Sequence, residues 1–280
     1  MANTLYEIKN ELIILHTLFE YGQQVLILLT SHQSLPRNQR DALLIFDQST
    51  QATGLFLSFM PQSTLRSDFK SVAPSLICMI GRGLMENFLA IQYLAKRRSP
   101  DDLTFEQLIR EQFIDVQRNQ MVAQINPSNQ ELPKLKEAIE SRKKAIESHP
   151  LYKNLRPEVA NNCAIGSADK TQTKNEILDT LGIVPDVFWS TYQHFSQFIH
   201  ANSFAAEQLS MLGKAGTLEF LRTLTREIVG IYCLNLLALS YGFNVPRDEV
   251  PLNIQDSLLF WQGFYQGGSK SESSKDGGAG

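Results

Sequence analysis

Arg82 and Glu86 stand four residues apart inside the run 76–95, which is apolar on almost every side. Helical spacing puts them one turn apart on a single stripe, with Met79, Leu89 and Tyr93 beside them, so an ion pair is carried into what reads as a core helix. Removing one member of a buried pair costs about 3–5 kcal/mol, whereas apolar replacement of both is often harmless. Retention of both therefore marks a candidate site. A second set lies in YQHFSQFIHAN, where Tyr192, Ser196 and His200 follow at intervals of four. With Glu207 they form a stripe on the flank of an apolar face made by Val187, Phe188, Phe195, Phe198, Ile199 and Leu209, while His194 falls on the opposite, solvent side.

If the two helices pack side by side, five polar groups converge at their interface, as sites in helix bundles do. That set suits proton transfer at a phosphodiester. Such chemistry needs a base of near-neutral pKa to take a 2′-hydroxyl proton, which the imidazole of His200 suits, and a fixed cation for the charge that develops, which Arg82 suits. Glu86 would orient Arg82, with Ser196 and Tyr192 donating to phosphate oxygens. The same residues have a structural reading as a buried polar network that sets helix register.

The elements that must hold these groups are helical throughout. Leu5, Ile8, Leu12, Leu15, Phe19, Leu26 and Leu29 recur at three- and four-residue intervals and predict a first helix ending near Ser31. A second run, 38–59, is stopped by Pro61. The polar-striped helix begins at Pro74 and closes before Ser99-Pro100-Asp101. An amphipathic helix at 101–125 follows, then a charged stretch, 126–150, with only Leu132, Leu135, Ile139 and Ile146 on a thin apolar stripe. Its basic cluster Arg142, Lys143 and Lys144 reads as a solvated face. Residues 150–182 read as a long connection with a short helix at 174–181. Helices at about 185–212, 217–241 and 252–265 complete the pattern, and GGSKSESSKDGGAG closes the chain as a disordered tail. No strict alternation or internal repeat competes. The expectation is an all-α bundle of long antiparallel helices, one domain over 1–265 with 126–182 as a surface insertion, and a tail at 266–280.

Several function classes are excluded by absence of their motifs. There is no HxxxH, no paired ExxH and no acidic cluster of the di-iron type, so no metal or cofactor is expected. Neither Gly-x-Ser-x-Gly nor a phosphate-binding glycine loop occurs. A formal charge of −3 from 26 basic and 29 acidic residues provides no field for holding long nucleic acid, so any RNA contact would be local. Cys78, Cys163 and Cys233 make an odd count without CxxC spacing and fit a reducing cytoplasm. The N-terminus lacks the features of a signal peptide. Of three runs apolar enough to suggest a membrane, two carry charged residues and one is too short, so no membrane partner is expected. The apolar faces of so many helices fit a homodimer or another protein partner.

The combination Arg82-Gly-Leu-Met-Glu86 and Tyr192-x-x-x-Ser196-x-x-x-His200-Ala-Asn resembles a widespread, functionally uncharacterised family of helical bacterial proteins that share R-x-x-x-E and Y-x-x-x-S-x-x-x-H helices. The resemblance covers roughly residues 70–245. More distantly the pattern is similar to the HEPN (higher eukaryotes and prokaryotes nucleotide-binding) helical domains, many of them metal-independent ribonucleases of toxin, phage-defence and RNA-processing systems. It implies a candidate ribonuclease with His200 at its centre. In those nucleases an Arg precedes the catalytic His by about a turn. Here that position lies within Phe195–Ile199, which contains no Arg, so Arg82 would have to supply the guanidinium from another helix.

Overall fold

A computed structural model of the chain describes residues 2–31, 34–60, 74–199, 213–245 and 250–268. The helices are α1 (Ala2–Thr30), α2 (Arg37–Phe59), α3 (Pro74–Leu94), α4 (Pro100–Ile125), α5 (Leu132–Ser148), α6 (Pro157–Ala164), α7 (Lys174–Asp179), α8 (Pro185–Ile199), α9 (Lys214–Phe243) and α10 (Leu252–Tyr265), with a 3₁₀ turn at Pro150–Asn154. No strand occurs among the described residues. The protein is an all-α bundle.

The chain forms two compact units, one of residues 1–96 and 178–280, the other of residues 97–177. In the first unit α3 is the central helix and packs against α9, α2 and α8. Its sequence explains why. Ile77, Cys78, Leu84, Met85, Phe88, Leu89 and Ile91 cover most of its circumference and are all buried. Burying each large apolar side chain contributes about 1.5–3 kcal/mol, so a helix apolar on nearly all sides belongs in the middle. α9 is similar, with Ile228, Val229, Ile231, Tyr232, Cys233 and Leu236 fully enclosed.

α1 packs on α2 and α9 through Ile8, Leu15 and Leu18, which are fully buried, while Ile13, Ile27 and Leu28 face outward. Residues 3–30 are the one described helix with the length and mean hydropathy, 1.5, of a membrane span; 39% of its most apolar stretch is buried within the protein.

In the second unit, α4 starts at a full capping box: the Ser99 hydroxyl accepts from the Asp102 N–H, and the Asp102 carboxylate accepts from the Ser99 N–H. Phe105 and Ile109 of α4 form a small core with Ile146 of α5 and with Val159 and Cys163 of α6. Two features differ from the sequence expectation. The connection at 150–182 contains α6, an eight-residue helix begun by Pro157 and held by burial of Val159, Ala160, Cys163 and Ala164. Arg142 is not part of a solvated face: its guanidinium pairs with Asp115 and lies 3.4 Å from Glu111, tying α5 to α4.

Candidate functional site

α3 and α8 lie side by side, and one glycine sets how closely. A Cβ built on Gly81 would come within 2.4 Å of the Phe195 ring, which is completely buried. Only a bare backbone at this position lets the ring lie directly on α3. Phe188 meets Phe88 across the same interface with ring centroids 5.7 Å apart. Together these contacts place Tyr192, one turn along α8 from Phe188, opposite Arg82 and Glu86.

The three polar groups form a single chain of hydrogen bonds. Arg82 Nε donates to the Tyr192 hydroxyl oxygen at 3.0 Å, and the hydroxyl donates to Glu86 Oε1 at 2.7 Å. The guanidinium carbon also stands 5.2 Å from the centre of the Tyr192 ring. Burial, followed by the Glu86 carboxylate, holds the phenol above its ordinary pKa of 10, so it stays protonated and remains the donor to Glu86. All three side chains are half-buried, at the rim of the α3–α8 seam rather than in its core. The sequence reading of a charge pair carried into the core is corrected: Ile77, Leu84 and Phe88 take the inward positions of α3, and Arg82 and Glu86 its edge.

Ser196 lies one turn beyond Tyr192 and is half-buried, but its hydroxyl donates to the Tyr192 carbonyl at 2.8 Å. That is the back-bond a serine makes inside a helix, and it turns the hydroxyl toward its own backbone. His200 and Glu207 lie outside the described residues, as does Leu209 of the expected apolar face. Of the five proposed site residues, the fold therefore brings Arg82, Glu86 and Tyr192 into one chain and sets Ser196 beside it.

His194 does not point to solvent, as the helical wheel implied. It is half-buried with Nδ1 2.9 Å from both oxygens of Glu227 on α9, and it packs edge-on to Phe198 and Phe220. The hydrogen bond to Glu227 raises its pKa above 6.5, against the opposing pull of burial. Glu227 stands just ahead of the apolar run 228–239, and that charge was the signal the sequence reading passed over.

A second polar cluster, also missed, crosses α2, α3 and α9. Asn235 donates from Nδ2 to the Leu84 carbonyl at 3.0 Å, and its Oδ1 accepts from Ser49 at 3.0 Å. Asn87 donates to the Ser49 hydroxyl at 3.0 Å. Asn235 and Ser49 are completely buried. Cys78 and Cys163 are buried thiols pushed up to about 12 and about 11, chiefly by desolvation, and Cys233 is raised further still. None has the character of a nucleophile. Among the described residues no three His, Cys, Asp or Glu side chains gather as a metal site requires.

No protein-family model, curated protein or solved structure matches this chain.

Proposed function

We propose that the chain is a non-catalytic helical binding protein in which the Arg82–Tyr192–Glu86 chain fixes α8 against α3. One observation carries this reading. The Tyr192 hydroxyl is spent in both directions, on Arg82 and on Glu86, and Ser196 is spent on its own helix. Groups bonded to one another hold geometry, whereas a reacting site needs donors aimed at a bound substrate. The three buried thiols support a cytoplasmic setting.

The test is RNA incubation without divalent metal, run on the wild type and on His200→Ala, beside thermal melts of Arg82→Met with Glu86→Leu. The reading expects no His200-dependent cleavage, and a double variant that stays folded because both charges leave together. RNA cleavage that His200→Ala abolishes, with an unchanged melt, overturns it.

That overturning result defines the second reading, a metal-independent ribonuclease of the toxin or phage-defence kind. It is favoured by the half-exposed position of Arg82 and Tyr192, which leaves this edge of the seam within reach of a phosphate. His200 would then be the base and Arg82 the cation, with Glu86 orienting Arg82.

A further inference from the structure

A cleft of about 660 Å³ opens in the first unit between α1, α9 and α10, with Thr191 of α8 at its edge. Its volume lies within the range of small-molecule sites. α1 supplies Glu7 and Glu11, α9 supplies Arg222, Arg226 and Glu227, and α10 supplies the aromatic wall of Trp261 and Phe264. The wall is fixed from behind. Trp261 is buried and lies flat on α9 at Gly230, where a Cβ would approach the indole to 2.5 Å. The neighbouring Tyr265 is completely buried.

The charges of the cleft are partly matched. Glu7 accepts a hydrogen bond from Arg222, which also lies 2.8 Å from Glu219. Glu227 is held by His194. Among the described residues this leaves one cation and one anion. Arg226 is exposed, with its guanidinium carbon 5.8 Å from the Trp261 ring, and it forms no hydrogen bond or ion pair among the described residues. Glu11 is half-buried and likewise accepts no hydrogen bond there, although Arg226 and Glu11 lie close enough to feel each other's charge. Burial holds the Glu11 carboxyl above its ordinary 4.5. A partly desolvated carboxylate with no donor gains from any ammonium brought to it.

An anion alone would meet three carboxylates here, and a cation alone would meet two guanidinium groups. A ligand bearing both charges meets a partner for each. We propose that this cleft binds an α-amino acid with an apolar side chain, its carboxylate on Arg226, its ammonium on Glu11 and its side chain against Trp261 and Phe264. The inference supplies a ligand for the binding reading above, but it uses no member of the Arg82–Tyr192–Glu86 chain. Discovery of His200-dependent RNA cleavage would end that reading and leave this one standing.

The test is calorimetric titration of the full chain near neutral pH with three probes: L-phenylalanine, phenethylamine, which lacks the carboxylate, and 3-phenylpropionate, which lacks the ammonium. L-phenylalanine is expected to bind saturably at one site, and each single-charge probe about tenfold more weakly, as loss of one charge-assisted contact implies. Arg226→Gln, a change at an exposed position, should keep the melting temperature and erase the preference over phenethylamine. Glu11→Gln should erase the preference over 3-phenylpropionate. Absence of L-phenylalanine binding, equal binding of the three probes, or wild-type affinity in Arg226→Gln would each overturn the proposal.

Discussion

Two hydrogen-bonded clusters tie α3 to its neighbours, and they differ in their access to water. The Ser49–Asn235 pair joins α2, α3 and α9 with both members completely buried. The Tyr192 chain joins α3 to α8 with every member half-exposed. A sealed polar network contributes specificity of packing, because a misregistered helix would strand its buried donors. A half-open one can exchange a partner for water or a ligand at little cost. The buried contacts of α3 are thus made by neutral amides and hydroxyls, while its charged pair Arg82 and Glu86 lies at its edge. Function is to be sought at such edges.

Breaking the sealed cluster should have the largest effect. Asn235→Ala removes a completely buried amide together with its bonds to the Leu84 carbonyl and to Ser49, and leaves a cavity there, so we expect about 3 kcal/mol of lost stability in denaturant unfolding. A loss as small as that of an exposed substitution would mean the site rehydrates and the contrast with the α3–α8 edge is false. Tyr192→Phe removes two hydrogen bonds by number, yet Arg82 and Glu86 can turn to solvent, so the expected cost is about 1 kcal/mol. A cost equal to that of Asn235→Ala would place the two clusters in the same class.

The smallest effect sharpens the comparison through pH. The folded pKa of His194 is raised by Glu227, so its contribution to stability is fully present below the unfolded value of about 6.5 and is lost as pH rises through the folded value. Wild type should exceed His194→Gln by about 2 °C in melting temperature near pH 6, and the gap should narrow as pH rises above neutrality. The corresponding gap for Asn235→Ala should stay constant, since none of its groups titrates.

Much of the architecture was legible before any coordinates. Pro74 and Ser99-Pro100 marked the ends of α3, and the apolar spacing of Leu252–Tyr265 gave the bounds of α10. α6 was not legible, because eight residues after a proline carry too few turns for a periodicity to register. The stripe of Tyr192 and Ser196 was readable from intervals of four, and so was that of Arg82 and Glu86. Their meeting was not, since nothing in either run states which helix lies next to which. The bare Gly81 that admits the Phe195 ring acts only once both helices are present.

Helical class, the apolar circumference of α3 and the absence of metal-site and phosphate-loop motifs follow from residue order, because period and composition are local properties of the chain. Tertiary structure decided the rest. It set Tyr192 between a guanidinium and a carboxylate, folded His194 inward onto Glu227, enclosed Asn235, and left Arg226 and Glu11 in one cleft. Each of these depends on groups far apart along the chain, and their pairing is fixed by how apolar faces close on one another.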